Sequence, residues 1–151
     1  MDTITLTDKL IAEQNEFINA FLDDYPSFKS YDEVEHSLRA VLHVLRDRLP
    51  VQESFHLLAQ LPVFLKLSFI EGWKYREKPL RIETIGAFRT AVQEELLALG
   101  DRDVDPRISP EKIRNILNAL KQYISEGEIR HIVGSIPPEL QSLFSEDGED
   151  R

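Results

Sequence analysis

Apolar residues recur along the chain at helical spacing in short segments, each bounded by a proline, a glycine or a capping side chain. Leu10, Ile11, Phe17, Ile18, Phe21 and Leu22 follow the 3.6-residue period with Gln14 as the polar exception, and Thr7 stands ahead of them as an N-cap. This first helix stops at Tyr25-Pro26, because a residue that precedes proline is pushed out of the helical region. Ser30 with Glu33 three residues later makes a capping-box pattern, and Val34, Leu38, Val41, Leu42, Leu45 and Leu49 then form one apolar face. Pro50 closes the second helix and opens a third that runs to about Gln60. Pro62 opens a fourth that ends near Gly72. The stretch Trp73 to Arg81 mixes charges and Pro79 without a period and reads as a linker. A second series follows: Ile85, Phe88, Val92, Leu96 and Leu99 up to Gly100, a charged loop from Asp101 to Arg107, and a helix opened by Ser109-Pro110 with Ile113, Ile116, Leu117, Leu120 and Ile124 on its face. Ser125 and Glu128 repeat the capping-box pattern ahead of Ile129, Ile132, Val133 and Ile136, and Pro137-Pro138 starts a last short helix carrying Leu140, Leu143 and Phe144.

The two series resemble each other in sequence. Leu38–Phe69 aligns without a gap on Ile113–Phe144, and eight of the 32 positions are identical: Arg39/Arg114, Leu42/Leu117, Leu45/Leu120, Glu53/Glu128, His56/His131, Pro62/Pro137, Leu65/Leu140 and Phe69/Phe144. Ordinary composition gives roughly two. The expected fold is therefore all-α, about eight helices in two tandem four-helix repeats packed as one pseudo-two-fold bundle. The expected organisation is an N-terminal repeat over 1–72, a linker over 73–81, a C-terminal repeat over 82–145 and an acidic disordered tail over 146–151.

Composition narrows the function classes. The 18 Lys and Arg against 27 Asp and Glu give a formal charge of −9, which repels phosphate backbones and anionic lipid. Neither nucleic acid nor membrane is the expected partner. The lack of cysteine removes disulfides, thiolate metal sites and cysteine nucleophiles. Met1 to Leu10 has neither the basic nor the apolar region of a secretory signal, so a cytoplasmic location is expected. Leu57 to Ile70 is apolar but interrupted by Gln60, Pro62 and Lys66 and is too short to span a bilayer.

The strings RAVLHVLRDRLP (Arg39 to Pro50), HLLAQLPVFLKLSFIEGW (His56 to Trp73), ISEGEI (Ile124 to Ile129) and IPPELQSLF (Ile136 to Phe144) resemble the bacterial domain-of-unknown-function family numbered 2267. The resemblance spans most of the chain and implies an all-helical bacterial protein. It implies no activity and assigns no residue a role.

Among candidate sites the sharpest is the Glu-x-x-His pair, Glu53 with His56 and Glu128 with His131. Di-iron carboxylate bundles use two such pairs plus a Glu from each of two other helices, for which Glu16 and Glu94 or Glu95 lie on suitable helices but at non-equivalent offsets. The plainer reading is that both Glu fall in the first turn of a helix and cap free backbone amides, as Ser125 with Glu128 suggests. No metal, cofactor or catalytic residue is assigned on this basis. His36 and His43, seven apart on the second helix, read as boundary histidines before a pH-sensing or metal pair. Trp73 beside Tyr75 reads as a staple for the linker before a partner anchor. The basic residues Lys74, Arg76, Lys78 and Arg81 are interleaved with acids and read as a solvated face. The leading expectation is a non-enzymatic helical module that works through protein contacts or self-association, with Val63 to Ile70 as the contact helix where it is not wholly buried. The alternative is a carboxylate/histidine metal-binding bundle through Glu53, His56, Glu128 and His131. A binder of small molecules in a groove between the two copies is the third.

Overall fold

The computed structural model describes residues 3–145, and the acidic segment 146–151 lies outside the described residues. Eight α-helices follow in order: α1 Leu6–Asp24, α2 Tyr31–Arg48, α3 Val51–Gln60, α4 Val63–Ile70, α5 Ile85–Leu99, α6 Pro110–Leu120, α7 Glu126–Gly134 and α8 Pro138–Gln141. Single 3₁₀ turns, Lys121–Tyr123 and Ser142–Phe144, follow α6 and α8. Among the described residues there is no strand, and no helix is long and apolar enough to cross a membrane.

The helix ends carry the expected punctuation with three shifts. Thr5, not Thr7, caps α1, its Oγ1 accepting the Asp8 N–H at 3.0 Å, so the first turn starts two residues earlier than the apolar period shows. Ser30 Oγ accepts from Glu33 N–H at 3.1 Å, but Glu33 reaches one residue past the box to take the Lys29 N–H at 2.7 Å. The apolar face ending in Ile124 is not one helix, because α6 tightens into the 3₁₀ turn after Leu120. Pro50 and Pro62 stand at the N-cap positions of α3 and α4, and α5 closes on Gly100 in the left-handed region at φ +73°, where a side chain would strain the backbone.

Helix α2 runs through the middle and packs against α1, α3, α4, α5 and α6. Its predicted face is buried, and so are Ser37, Ala40, His43, Val44 and Arg46 around the rest of its circumference. The buried apolar side chains of both halves belong to one core. His43 is deeper than a boundary position: Nδ1 lies 3.0 Å from Glu95 Oε2 on α5, and Nε2 donates to the Ser68 carbonyl of α4 at 2.7 Å. His36 instead faces Glu35 and Asp101, each at 3.5 Å, so the two histidines do not form a pair. Arg46 Nη1 donates to the carbonyls of Phe69 and Glu71 at 2.7 and 2.8 Å. At the equivalent place in the second half, Lys121 Nζ donates to the Phe144 carbonyl.

The non-helical stretch after α4 is tied down. The Trp73 ring lies 5.1 Å from Phe55 and 5.6 Å from Phe69, with the Arg46 guanidinium 5.9 Å from its centroid, which is the staple arrangement. Further on, Leu80 N–H donates to the Asp47 carbonyl at 2.9 Å and Arg48 Nε to that of Ile82 at 2.6 Å. Tyr75 is exposed.

Leu42 is fully buried on α2. Leu42→Ala is expected to cost about 2–5 kcal/mol in denaturant unfolding, against about 0.5 kcal/mol or less for Leu97→Ala on the exposed side of α5. Equal costs at the two positions would show that α2 is not the centre of the fold.

Candidate metal centre

Helices α3 and α7 lie side by side, one from each half. Glu53 is the third residue of α3 and Glu128 the third of α7, the position from which a glutamate reaches back to the N-cap amide. Neither does so. The N-cap of α3 is Pro50, which has no N–H to offer. At α7, Ser125 Oγ accepts the Glu128 N–H at 3.1 Å, but the Ser125 N–H is taken by Gln60 Oε1, at 2.8 Å, from the end of α3. Both carboxylates are thereby left free of the capping role that their spacing suggests.

They turn inward instead. Glu53 keeps only 9 % of its surface exposed and Glu128 6 %, and each holds one buried oxygen, Glu53 Oε1 and Glu128 Oε2, without a hydrogen-bond partner. His56, one turn along α3 and largely exposed, places Nδ1 3.3 Å from Glu53 Oε2. One ligand atom from each of Glu53, His56 and Glu128 lies within 4.8 Å of the others. Tetrahedral coordination at roughly 2.1 Å needs separations of about 3.4 Å, a closure within reach of side-chain rotation. A buried oxygen left without a partner calls for a specific explanation, and two buried carboxylates that each hold one, clustered with an imidazole, offer the donor set of a cation site.

The electrostatics agree. Burial first, and the neighbouring Glu53 carboxylate second, hold the Glu128 carboxyl above the usual carboxylate range, while the imidazoles of His56 and His131 pull it the other way. Without a cation the cheapest way to relieve this crowding is to keep a proton on Glu128. A divalent ion held by the two carboxylates would replace that proton.

The four residues singled out by sequence are only partly brought together. His131 is exposed and stands outside the cluster. The extra glutamates of a dinuclear site are elsewhere: Glu95 is engaged by His43, Glu94 is exposed on α5, and Glu16 lines a groove beside α1. The cluster offers the donors for at most one mononuclear ion, three side chains with the His56 side open to solvent. Pro50 was the available signal against capping at Glu53. The role of Gln60 had no local signal, since it lies 65 residues from its partner.

The family described as "Uncharacterized conserved protein (DUF2267)" matches over residues 14–143, and the chain belongs to it. No curated protein matches the chain.

Because the native state holds the Glu128 proton to higher pH than the unfolded chain does, raising the pH through that range ionises the carboxyl at a cost to the folded form. Glu128→Gln removes the cost. In chelator-treated protein the variant should therefore melt higher than wild type at neutral pH and lose less of its midpoint as the pH rises above the usual carboxylate range. A variant that melts lower throughout would mean that the Glu128 carboxylate is already compensated.

Proposed function

We propose that this family member is a non-enzymatic helical module that binds one divalent transition-metal ion between α3 and α7 through Glu53, His56 and Glu128. The observation that carries the proposal is the clustering of two buried carboxylates, each with one oxygen lacking a hydrogen-bond partner, and the His56 imidazole, with one ligand atom of each within 4.8 Å of the others. Mixed nitrogen and oxygen donors suit zinc, iron or manganese better than magnesium or calcium, which favour oxygen-only shells of six or more ligands. The ion would join the two halves at a contact otherwise made by Gln60 and Ser125. With this reading go a cytoplasmic location and a protein partner in preference to nucleic acid or membrane, the choice of partner supported by the acidic balance.

Calorimetric titration of chelator-stripped protein with Zn²⁺ and Mn²⁺ is expected to show one site. At a free ion concentration 100 times Kd the fold should gain about 2.7 kcal/mol. Glu53→Gln, His56→Ala and Glu128→Gln should each weaken binding by about tenfold or more, in the range seen when a ligand or its support is removed, while His131→Ala leaves it intact. Glu128→Gln is then a signed test, stabilising without metal and blind to it. Absence of binding at millimolar metal, or equal loss in His56→Ala and His131→Ala, would end the proposal.

A second reading, a contact module that pairs with another copy of the chain, is favoured by α4. Val63, Leu67 and Ile70 are 47 %, 53 % and 45 % exposed along one edge of that helix, while Phe64, Leu65 and Phe69 on the other edge are in the core. Self-association through this edge predicts a concentration-dependent mass by light scattering that Leu67→Glu abolishes without lowering the melting temperature. A monomer at every concentration, in wild type and variant alike, rejects it.

A further inference from the structure

A groove of about 580 Å³ runs between α1 and the start of α4 on one side and the end of α6 with its 3₁₀ turn on the other. Its volume falls in the range of small-molecule sites. None of the three metal-site residues lines it.

Its chemistry is one-sided. Glu13, Glu16 and Asp24 form the α1 rim, and no Lys or Arg lines it among the described residues. The walls are aromatic. Tyr25 is held across the groove by its phenolic oxygen, which accepts from Asn118 Nδ2 of α6 at 2.9 Å. Tyr123 packs at 5.9 Å on Phe17 and edge-on at 6.3 Å to Phe64, so both tyrosines are half-buried walls fixed by named contacts. Burial, then the charges of Glu16 and Glu13, push the Tyr123 phenol up, so these two rim carboxylates act on the aromatic wall.

We propose that this groove binds a small organic cation, an alkylammonium or quaternary ammonium with an apolar body. Aromatic faces attract such a cation through the ring quadrupole and contribute dispersion to its methyl groups. A single exposed carboxylate adds little in water, but three of one sign around a low-dielectric wall act together and steer the same charge. An anion meets the wrong field, and a neutral ligand leaves the acids unused. The size limits the occupant to a small molecule.

The test uses the full chain, choline as probe and its neutral carbon isostere dimethylbutanol as control, read by backbone amide shifts. Choline should give saturable shifts confined to Asn118, Ala119, Gln122, Tyr123 and the facing turns of α1, weakened by salt, with the isostere binding at least about fivefold more weakly, as one cation–π contact plus the rim charge would produce. Glu16→Gln, at an exposed position with no fold to lose, should weaken choline binding severalfold without moving the isostere. Tyr123→Leu should weaken both. Equal binding of choline and isostere, shifts spread over the molecule, or no effect of Glu16→Gln would each overturn the assignment.

Discussion

Helix α2 is surrounded by protein on almost every side, and it carries two basic side chains, His43 and Arg46, into that interior. Buried polar and charged groups are tolerated only where hydrogen-bond partners meet them. The arrangement of the neighbours follows from supplying those partners. The C-terminal carbonyls of α4, which a helix leaves unsatisfied, are brought to Arg46 and His43. Helix α5 of the other half delivers Glu95 to the second nitrogen of His43. One helix thus sets where the end of α4 and the side of α5 must lie, and the apolar core fills the space between.

Much of this was readable along the chain because its causes are local. Proline N-caps, the left-handed Gly100 and serine caps at Ser30, Ser109 and Ser125 depend on neighbours within a turn, and the apolar periods name most of the core residues, though not those of α3 and α4 or of the loops, such as Leu57, Phe64, Phe28 and Ile82. The departures have equally physical causes. Gln14, the polar break in the α1 face, is used by the Tyr31 hydroxyl of α2, at 3.2 Å. His43 looked like a boundary residue because its partners lie 25 and 52 positions away. The α1–α6 groove has no sequence signature at all, since its two walls come from segments almost a hundred residues apart.

The metal centre shows how a long-range contact alters the meaning of a local motif. A serine followed three residues later by a glutamate normally describes a helix start whose amides are satisfied from within. Here Gln60 completes the start of α7 from outside, and the glutamate is released to a buried position beside its counterpart on α3. The pairing of Glu53 with Glu128 joins residues that occupy the same place in the two related stretches of sequence. Two like charges meeting in a largely buried contact are relieved by a proton on one of them, and the same crowding would favour a cation between them.

The bond from Gln60 to Ser125 also bears on whether the chain can be divided. Helix α7 spans nine residues, well short of the length at which an isolated helix persists in water. The amide of its N-cap Ser125 is held by a side chain 65 residues away on α3, and α5 and α6 rest on α2. Severing the chain within 73–81 would therefore not release two self-sufficient pieces. It would yield fragments that regain structure only in each other's presence, as a split protein does.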